Sequence, residues 1–380
     1  MVRGLAETLS SARYSQTSRP TSWSTKGRNL PGTCAVPCED DDSTIGVQEV
    51  RVATINALMK HLRASGIQIS GSSQKKKLRK IGYYHSYKGY RFARHSTNRL
   101  PLSDFSQIAA LHDFDMQLKA LMYEPLMTVE TALKNRVLEA VLDHSASERF
   151  DVIYRKSLTS YKCCGRRAKN AREAKAAYKR EWDKRLGLRT EVDRLIAQNH
   201  DSRAVVRHFR DQDRDIPIWA IFEIMTLGNF GAFYSCLHDD VKAEICDDLK
   251  MPHGNFDSPV VLKKMIFAFK DLRNAVAHNG IVLDVRFKTG RIGKAVGEML
   301  GFEMGATSID FEELTDYILL LTYLMVRLDF TKTECRRLVQ GYREVTERYR
   351  KILPYNIYSQ FIGSQARSKL DAAEAFIKRP

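Results

Sequence analysis

A chain of 380 residues is long enough for a large hydrophobic core, and its formal net charge of +16 favours a polyanionic partner, nucleic acid before an anionic membrane surface. Its seven cysteines show neither zinc-ligand spacing nor a disulfide framework, which excludes a zinc-finger protein and favours a reducing cytoplasm. No apolar run is long enough to cross a bilayer and no signal-type apolar segment follows Met1, so neither a membrane span nor a secretory signal is predicted.

The chain begins with a polar stretch, residues 1–44, that is rich in Ser, Thr, Arg and Gly. It shows no hydrophobic periodicity, so we predict a disordered N-terminal tail. A first helix is predicted from Val47 to Ala64, because apolar residues recur there at helical spacing and Gly66 follows as a stop.

From Gly71 to Ser103 the sequence contains no acidic residue, and basic residues alternate with tyrosines. Basic groups neutralise phosphates, and aromatic rings stack on unpaired bases, so this block is predicted to contact RNA. The alternative is that the charges are solvated and the tyrosines fill the core. The predicted RNA-contacting residues of the block are Lys75, Lys76, Lys77, Arg79, Lys80, Tyr83, Tyr84, Lys88, Tyr90 and Arg91.

Asp104 to His144 is predicted to form one long helix or a helical pair, with Pro125 at a kink or at the first position of the second helix. A basic helical insertion follows at about 155–198, poor in apolar residues and expected to project from the body. It either grips an RNA backbone or is simply solvated. The residues assigned to RNA contact here are Arg166, Arg167 and Arg172.

A further helical segment starts near Pro217, in which Trp219 and its aromatic neighbours are expected in the core and Glu223 is expected to be buried or paired. The next helix is predicted to start at Ser258-Pro259 and to end at His278, because Asn279 and Gly280 tolerate the left-handed conformation of a helix end.

The last two turns of this helix carry three polar residues, Arg273, Asn274 and His278. Asn274 and His278 share a face, and the long side chain of Arg273 can reach the same point. An imidazole moves protons near neutral pH, a guanidinium binds phosphate, and an amide orients either group, so the trio suits metal-free attack of a ribose 2′-hydroxyl on the adjacent phosphodiester. The alternative is a histidine that only interacts with the helix dipole. The spacing itself is weak evidence, since Arg203 to His208 repeats it without the capped helix end.

After Gly280 the sequence predicts an irregular region with a turn at residues 287–291 that could cover the site. Helices are then predicted from Asp310 to Leu328 and from Thr331, where Thr331 and Glu334 form a capping box, to Leu353. A last helix is predicted from Gln365 to Ile377. The chain is thus divided into the tail (1–44), a basic and aromatic region (45–103), a helical core (104–330) and C-terminal basic helices (331–380).

Four blocks resemble a known family in their order along the chain. The segment FAFKDLRNAVAHNG, which contains Arg273, Asn274 and His278, resembles the R-N-x-x-x-H signature of HEPN ribonucleases. KKKLRKIGYYHSYKGYRF (75–92), LHDFDMQLKALMYEPLMTVETALKNRV (111–137) and IPIWAIFEIMTLGNFGAFY (216–234) are similar to elements of the Abi-like, abortive-infection proteins, closest to their AbiF/AbiD branch.

The resemblance implies an all-α, HEPN-type helical bundle and a homodimer whose two helix ends form one composite site for RNA cleavage in phage defence. It also implies that Glu130 approaches Arg273, although a helix-surface ion pair from Glu130 to Lys134 is an open alternative. The expected protein is a cytoplasmic endoribonuclease that requires no metal or cofactor. The alternative is a protein that holds a non-coding RNA in a stable particle while its HEPN site is silent or regulated.

Overall fold

A computed structural model describes residues 54–162, 169–290 and 292–379, and within these ranges it is all-α, as predicted. The only β-type pairings among the described residues are isolated bridges. The predicted tail, the start of the first predicted helix, Arg166 and Arg167 lie outside the described residues.

The helices are α1 (Ile55–Ala64), α2 (Gly71–Ile81), a π-helical turn (Tyr84–Lys88), α3 (Phe105–Ser145), α4 (Phe150–Lys156), α5 (Ala171–Asn199), α6 (Ala204–Asp211), α7 (Ile218–Ile224), α8 (Leu227–Cys236), α9 (Asp239–Asp248), α10 (Ser258–Ala277), α11 (Lys294–Met304), α12 (Leu314–Arg327), α13 (Lys332–Ile352), α14 (Tyr355–Tyr358) and α15 (Ala366–Lys378).

The fold is organised around α3, which runs for 41 residues without interruption. Asp104 and Gln107 form a capping box at its start, and the helix continues through Pro125, so the single-helix alternative is the correct one. A buried apolar stripe extends along it, and α9, α10, α12 and α13 pack against it. This helix therefore supplies a continuous support for the parts of the chain that follow.

Helix α10 packs against α3, α8, α9 and α12. Asp257 caps its N-terminus, with Pro259 in the first turn, one residue earlier than the sequence predicted. Its C-terminus is as predicted, because His278 is the cap residue and Asn279 adopts a positive φ of 54°. The polar residues Arg273, Asn274 and His278 thus lie at a defined helix end.

Two parts of the predicted secondary structure need correction. The segment after Pro217 forms two helices, because Met225 and Thr226 are extended and the side chain of Thr226 caps α8. The region after Gly280 is not irregular throughout, since it contains α11. Within α11, Gly297 permits close packing, because a Cβ at this position would overlap the carbonyl oxygen of Ile309.

The basic insertion is mostly one helix, α5, and it projects only in part. Its second half packs on α7 and α8 through Leu188, Val192 and Leu195, and Arg185 is buried there among backbone carbonyls. Its first half is largely exposed to solvent. The prediction of a projecting helix is therefore correct for the first half and wrong for the second.

The C-terminal helices complete the core. The predicted capping box of Thr331 and Glu334 starts α13, which packs on α3, while α15 covers α12 and α13. Buried Asp316 and Lys369, 2.6 Å apart, join α12 to α15. None of the helices in the described ranges is both long and apolar enough to cross a membrane.

Candidate functional site

Glu130 of α3 connects two cations at the centre of the candidate site. Its Oε2 accepts a hydrogen bond from Arg273 Nε at 2.7 Å, and its Oε1 lies 3.0 Å from Lys134 Nζ. Glu130 is only 9% exposed as a residue, and Lys134 also donates to the carbonyl of Met225 at 2.8 Å. The sequence analysis offered two alternatives for Glu130, a contact with Arg273 and an ion pair with Lys134. Both are present, one on each carboxylate oxygen. The arrangement fixes the rotamer of Arg273 by a charge-assisted hydrogen bond.

Arg273 keeps donors available for a substrate. One of its terminal nitrogens, Nη1, donates to Asn274 Oδ1 at 3.3 Å, whereas Nη2 makes no hydrogen bond to any described residue. The Arg273 side chain is 26% exposed. A guanidinium that is held at Nε and open at its outer edge can bind a phosphate.

His278 lies exposed at the end of α10, and its side chain makes no hydrogen bond within the described ranges. The structure therefore brings Glu130, Arg273 and Asn274 into direct contact and places His278 about one turn further along the same helix.

The loop that follows His278 is fixed by a buried ion pair that the sequence analysis did not identify. Lys119 Nζ lies 2.8 Å from Asp115 Oδ2 and donates to Asn279 Oδ1 and to the Gly280 carbonyl. Asp115 Oδ1 accepts from the backbone N–H groups of Val282 and Leu283 at 2.8 and 3.1 Å. Helix α3 therefore holds both sides of the candidate site. Its Glu130 binds Arg273, and its Lys119 binds Asn279, the residue after His278.

The block GYYHSYKGY also packs on this loop. A Cβ on Gly89 would come 2.7 Å from Ile281 Cδ1, and the Arg286 guanidinium donates to the Gly89 carbonyl. Buried Asp284 accepts from the backbone N–H of Arg94 at 3.2 Å, and its burial raises the pKa of this carboxyl above the usual range. The predicted RNA-contacting block is thus attached to the segment next to His278.

A model of the Abi-like protein family matches residues 76–284, which is more than half of the chain. The chain belongs to the Abi-like protein family. We name residues 76–284 the Abi-like region; it contains the whole candidate site and ends with the anchored loop, before α11. This family suggests a role in abortive infection and phage defence. No curated protein and no solved structure gives a significant match to the chain.

The basic residues at the start of the Abi-like region are mainly exposed. Lys76, Arg79, Lys80 and Lys88 face solvent, Lys75 is half-buried, and Arg91 lies over the ring of Phe92. Lys77 differs from these, because its ammonium group is 2.6 Å from Asp113. In α5, Arg172 is exposed beside Lys175, Lys179 and Arg180.

The three tyrosines assigned to RNA contact have different environments. Tyr84 is 66% exposed, which suits stacking on a base. Tyr83 is half-buried, and its hydroxyl lies 3.1 Å from His61 Nε2. Tyr90 is only 2% exposed, and its burial raises the pKa of the phenol. The ring of Tyr90 therefore fills the core in this structure, in agreement with the packing alternative for that residue.

A cavity of about 300 Å³ opens beside Arg273, between α3, α7 and α10. Trp219 and Glu223 line it. Trp219 was wrongly expected in the core, since it is 39% exposed. Glu223 was wrongly expected to be buried or paired, since it is exposed and has no ion pair in the described parts of the chain. Their i, i+4 spacing on α7 was visible in the sequence, but it did not show which side of the helix is open.

Two further observations limit the assignment of sites. Arg203 and His208, which repeat the Arg-His spacing, lie exposed at α6 without an ion pair from Arg203 to any described residue. Among the residues that the structure describes, no group of three or more His, Cys, Asp or Glu side chains is placed to share a metal ion.

Proposed function

We propose that this Abi-like chain is a HEPN-type endoribonuclease of a phage-defence system. The single observation that carries the proposal is the arrangement at the end of α10, where Arg273 is fixed by a carboxylate that is 143 residues away in sequence and His278 is left exposed. A histidine that served only the helix dipole would not require the neighbouring guanidinium to be held by a nearly buried carboxylate.

In the proposed reaction, His278 accepts the proton of a ribose 2′-hydroxyl as that oxygen attacks the adjacent phosphorus. Arg273 stabilises the charge that develops on the phosphate oxygens, and Asn274 orients the guanidinium. The bond from phosphorus to the 5′-oxygen breaks, and a second acid donates a proton to that oxygen. The products carry a 2′,3′-cyclic phosphate and a 5′-hydroxyl, and these groups by themselves require no metal.

The same chemistry favours a homodimer. Each α10 end provides one His278, whereas the reaction uses a base and an acid. A second copy of the chain with its own α10 end at the same site supplies the missing imidazole.

The test compares wild type, His278→Ala and His208→Ala on total cellular RNA with a metal chelator present, followed by mapping of product ends. We expect wild type and His208→Ala to leave cyclic phosphate ends and His278→Ala to leave none. His208→Ala is the matched control, because it removes an exposed histidine from the other Arg-His pair. Equal cutting by all three proteins would remove His278 from the reaction.

A mixing experiment tests the composite site. Wild type is equilibrated with increasing amounts of His278→Ala at constant total protein. If each site uses a His278 from both copies, activity falls with the square of the wild-type fraction. A linear fall would show that each chain cuts independently.

A second candidate function is a protein that stably holds a non-coding RNA, and the exposed cations of α2 and of the first half of α5 favour it. They form more basic surface than cleavage of a short RNA requires. A discrete RNA that co-purifies through moderate salt, without cutting by wild type, would support this function over the first.

A further inference from the structure

The cavity beside Arg273 has the size and lining of a binding site. Its volume of about 300 Å³ is at the lower end of the range for small-molecule pockets, which suits one nucleotide unit rather than an extended ligand. The lining combines a tryptophan, polar side chains of α3 (Thr131, Asn135) and two cations, Lys134 and Arg273.

Trp219 offers the cavity an aromatic face. The indole is 39% exposed, and its ring is supported edge-on by Phe209, with centroids 5.7 Å apart. A half-exposed ring that is held by another ring is a suitable platform for an unpaired base, because stacking on aromatic side chains is a general mode of single-stranded RNA recognition.

Glu223 gives the cavity a free carboxylate. Glu130, the other acid of the lining, already binds Arg273 and Lys134, whereas Glu223 has no cation within 4.0 Å among the described residues. A free carboxylate accepts two parallel hydrogen bonds. Guanine is the base whose Watson–Crick edge presents two adjacent donors, N1–H and the N2 amino group, whereas adenine, cytosine and uracil present one.

We infer that this cavity binds a guanine of the RNA strand, with Trp219 stacked on the base and Glu223 paired with its Watson–Crick edge. Arg273 lines the cavity and has an open outer edge, so the phosphate on the 3′ side of that guanosine lies on the guanidinium. This assignment rests on the proposed function and adds to it a base preference, namely cleavage after guanosine.

The first test measures binding without cleavage. The His278→Ala protein is titrated with the 3′-monophosphates of guanosine, adenosine, cytidine and uridine, and binding is followed by calorimetry. We expect guanosine 3′-monophosphate to bind at least about tenfold more tightly than the other three, as one bidentate base contact provides. Equal affinity for all four, or no binding, would overturn the inference.

Substitutions then assign the preference to residues. Glu223→Gln should remove the preference for guanosine and leave a similar, weaker affinity for all four nucleotides. Trp219→Leu should weaken all four by about tenfold, because stacking does not depend on the base. The matched controls are Glu244→Gln and Trp182→Leu, and neither residue lines the cavity. Glu244 is an exposed acid of α9 without an ion pair to any described residue, and Trp182 is a tryptophan of α5 that is 43% exposed. A preference that survives Glu223→Gln would contradict the assignment even if Trp219→Leu failed to fold.

The second test maps the bases at the ends produced by wild type. Guanosine cyclic phosphate ends are expected. If guanosine 3′-monophosphate binds selectively but wild type does not cleave RNA, the proposed function is overturned and the guanine site remains. If wild type cleaves RNA without a base preference, the guanine site is overturned and the proposed function remains.

Discussion

Glu130 determines the position of Arg273 because its two oxygens hold two different cations in a nearly buried environment. The carboxylate compensates the charges of both Arg273 and Lys134, and each oxygen has its own donor. A change at either oxygen should therefore affect both the site and the stability of the helix packing.

Glu130→Gln keeps the size of the side chain but turns an amide N–H₂ toward one of the two cations. We expect a loss of about 1–3 kcal/mol in the free energy of unfolding and a fall of about 100-fold in cleavage, since small misplacements of a catalytic group have large effects on rate. Single-turnover cleavage and denaturant unfolding measure the two effects. Glu139→Gln is the control, because Glu139 is an exposed acid of α3 without an ion pair among the described residues. Equal effects of both substitutions would contradict a specific role of Glu130.

His85, near the anchored loop, is expected to make the free energy of unfolding depend on pH. Burial, followed by the positive charges of Lys119 and His112, lowers the pKa of His85 below its ordinary value of 6.5. The unfolded chain therefore binds this proton more tightly than the folded chain. The contribution of neutral His85 to the free energy of unfolding is therefore complete above pH 6.5. It is lost as the pH falls through the lowered pKa of His85.

His85→Gln should make the free energy of unfolding less dependent on pH just below 6.5. Denaturant unfolding at a series of pH values measures this slope. His95→Gln, a change at an exposed histidine of the same region, should leave the slope as in wild type. An unchanged slope in His85→Gln would show that other groups cause the dependence.

At the scale of elements, α3 acts as the support for the end of α10 and for the loop after it. The pair Asp115 and Lys119 lies on the buried side of α3, one turn apart, and reaches Asn279, Gly280 and the two N–H groups beyond. A buried pair of this kind is costly to break, because one partner then stays charged without compensation.

Asp115→Asn should lower the free energy of unfolding by about 3–5 kcal/mol and speed hydrogen exchange at the amides of Val282 and Leu283. The matched control is Asp113→Asn. Asp113 lies on α3, like Asp115, and it pairs with Lys77 of α2. That pair is partly exposed to solvent, with side-chain exposures of 31% and 44%, so about 0–1 kcal/mol is expected. If both variants lose the same stability, the buried pair is not the anchor.

At the scale of the whole molecule, the net charge of +16 is concentrated in part on two exposed helical faces. One is the end of α2, with Lys76, Arg79 and Lys80, and the other is the first half of α5. The α2 face lies in the Abi-like region and is attached, through the turn that follows it, to the loop beside His278.

Changing Lys76, Arg79 and Lys80 together to Gln should weaken RNA binding and reduce its salt dependence by about 0.7 in the log–log slope for each lost phosphate contact. Filter binding to a single-stranded RNA at several salt concentrations measures the slope. Lys332, Arg337 and Lys351 of α13, changed together to Gln, form the control with the same change in net charge, outside the Abi-like region. Equal slopes in the two triple variants would show that only net charge matters.

The sequence alone determined the local features of the chain. The all-α class, the capping box of α13 and the end of α10 at His278 follow from apolar spacing and from the backbone preferences of a few adjacent residues. The placement of Arg273, Asn274 and His278 at one helix end has the same origin. Gly297 shows the limit of such reasoning, because the sequence does not show that the missing Cβ lets α11 pack against the Ile309 carbonyl.

Which residues meet at the site depends on how the helices pack. Glu130 reaches Arg273 across 143 residues, Asp115 binds the N–H of Val282 across 167, and Trp219 and Glu223 line an open cavity rather than the core. Helical spacing tells which residues share a face, but it does not tell which face another helix covers. That depends on how α3, α7 and α10 pack together, and packing is set by contacts between residues that are distant in the sequence.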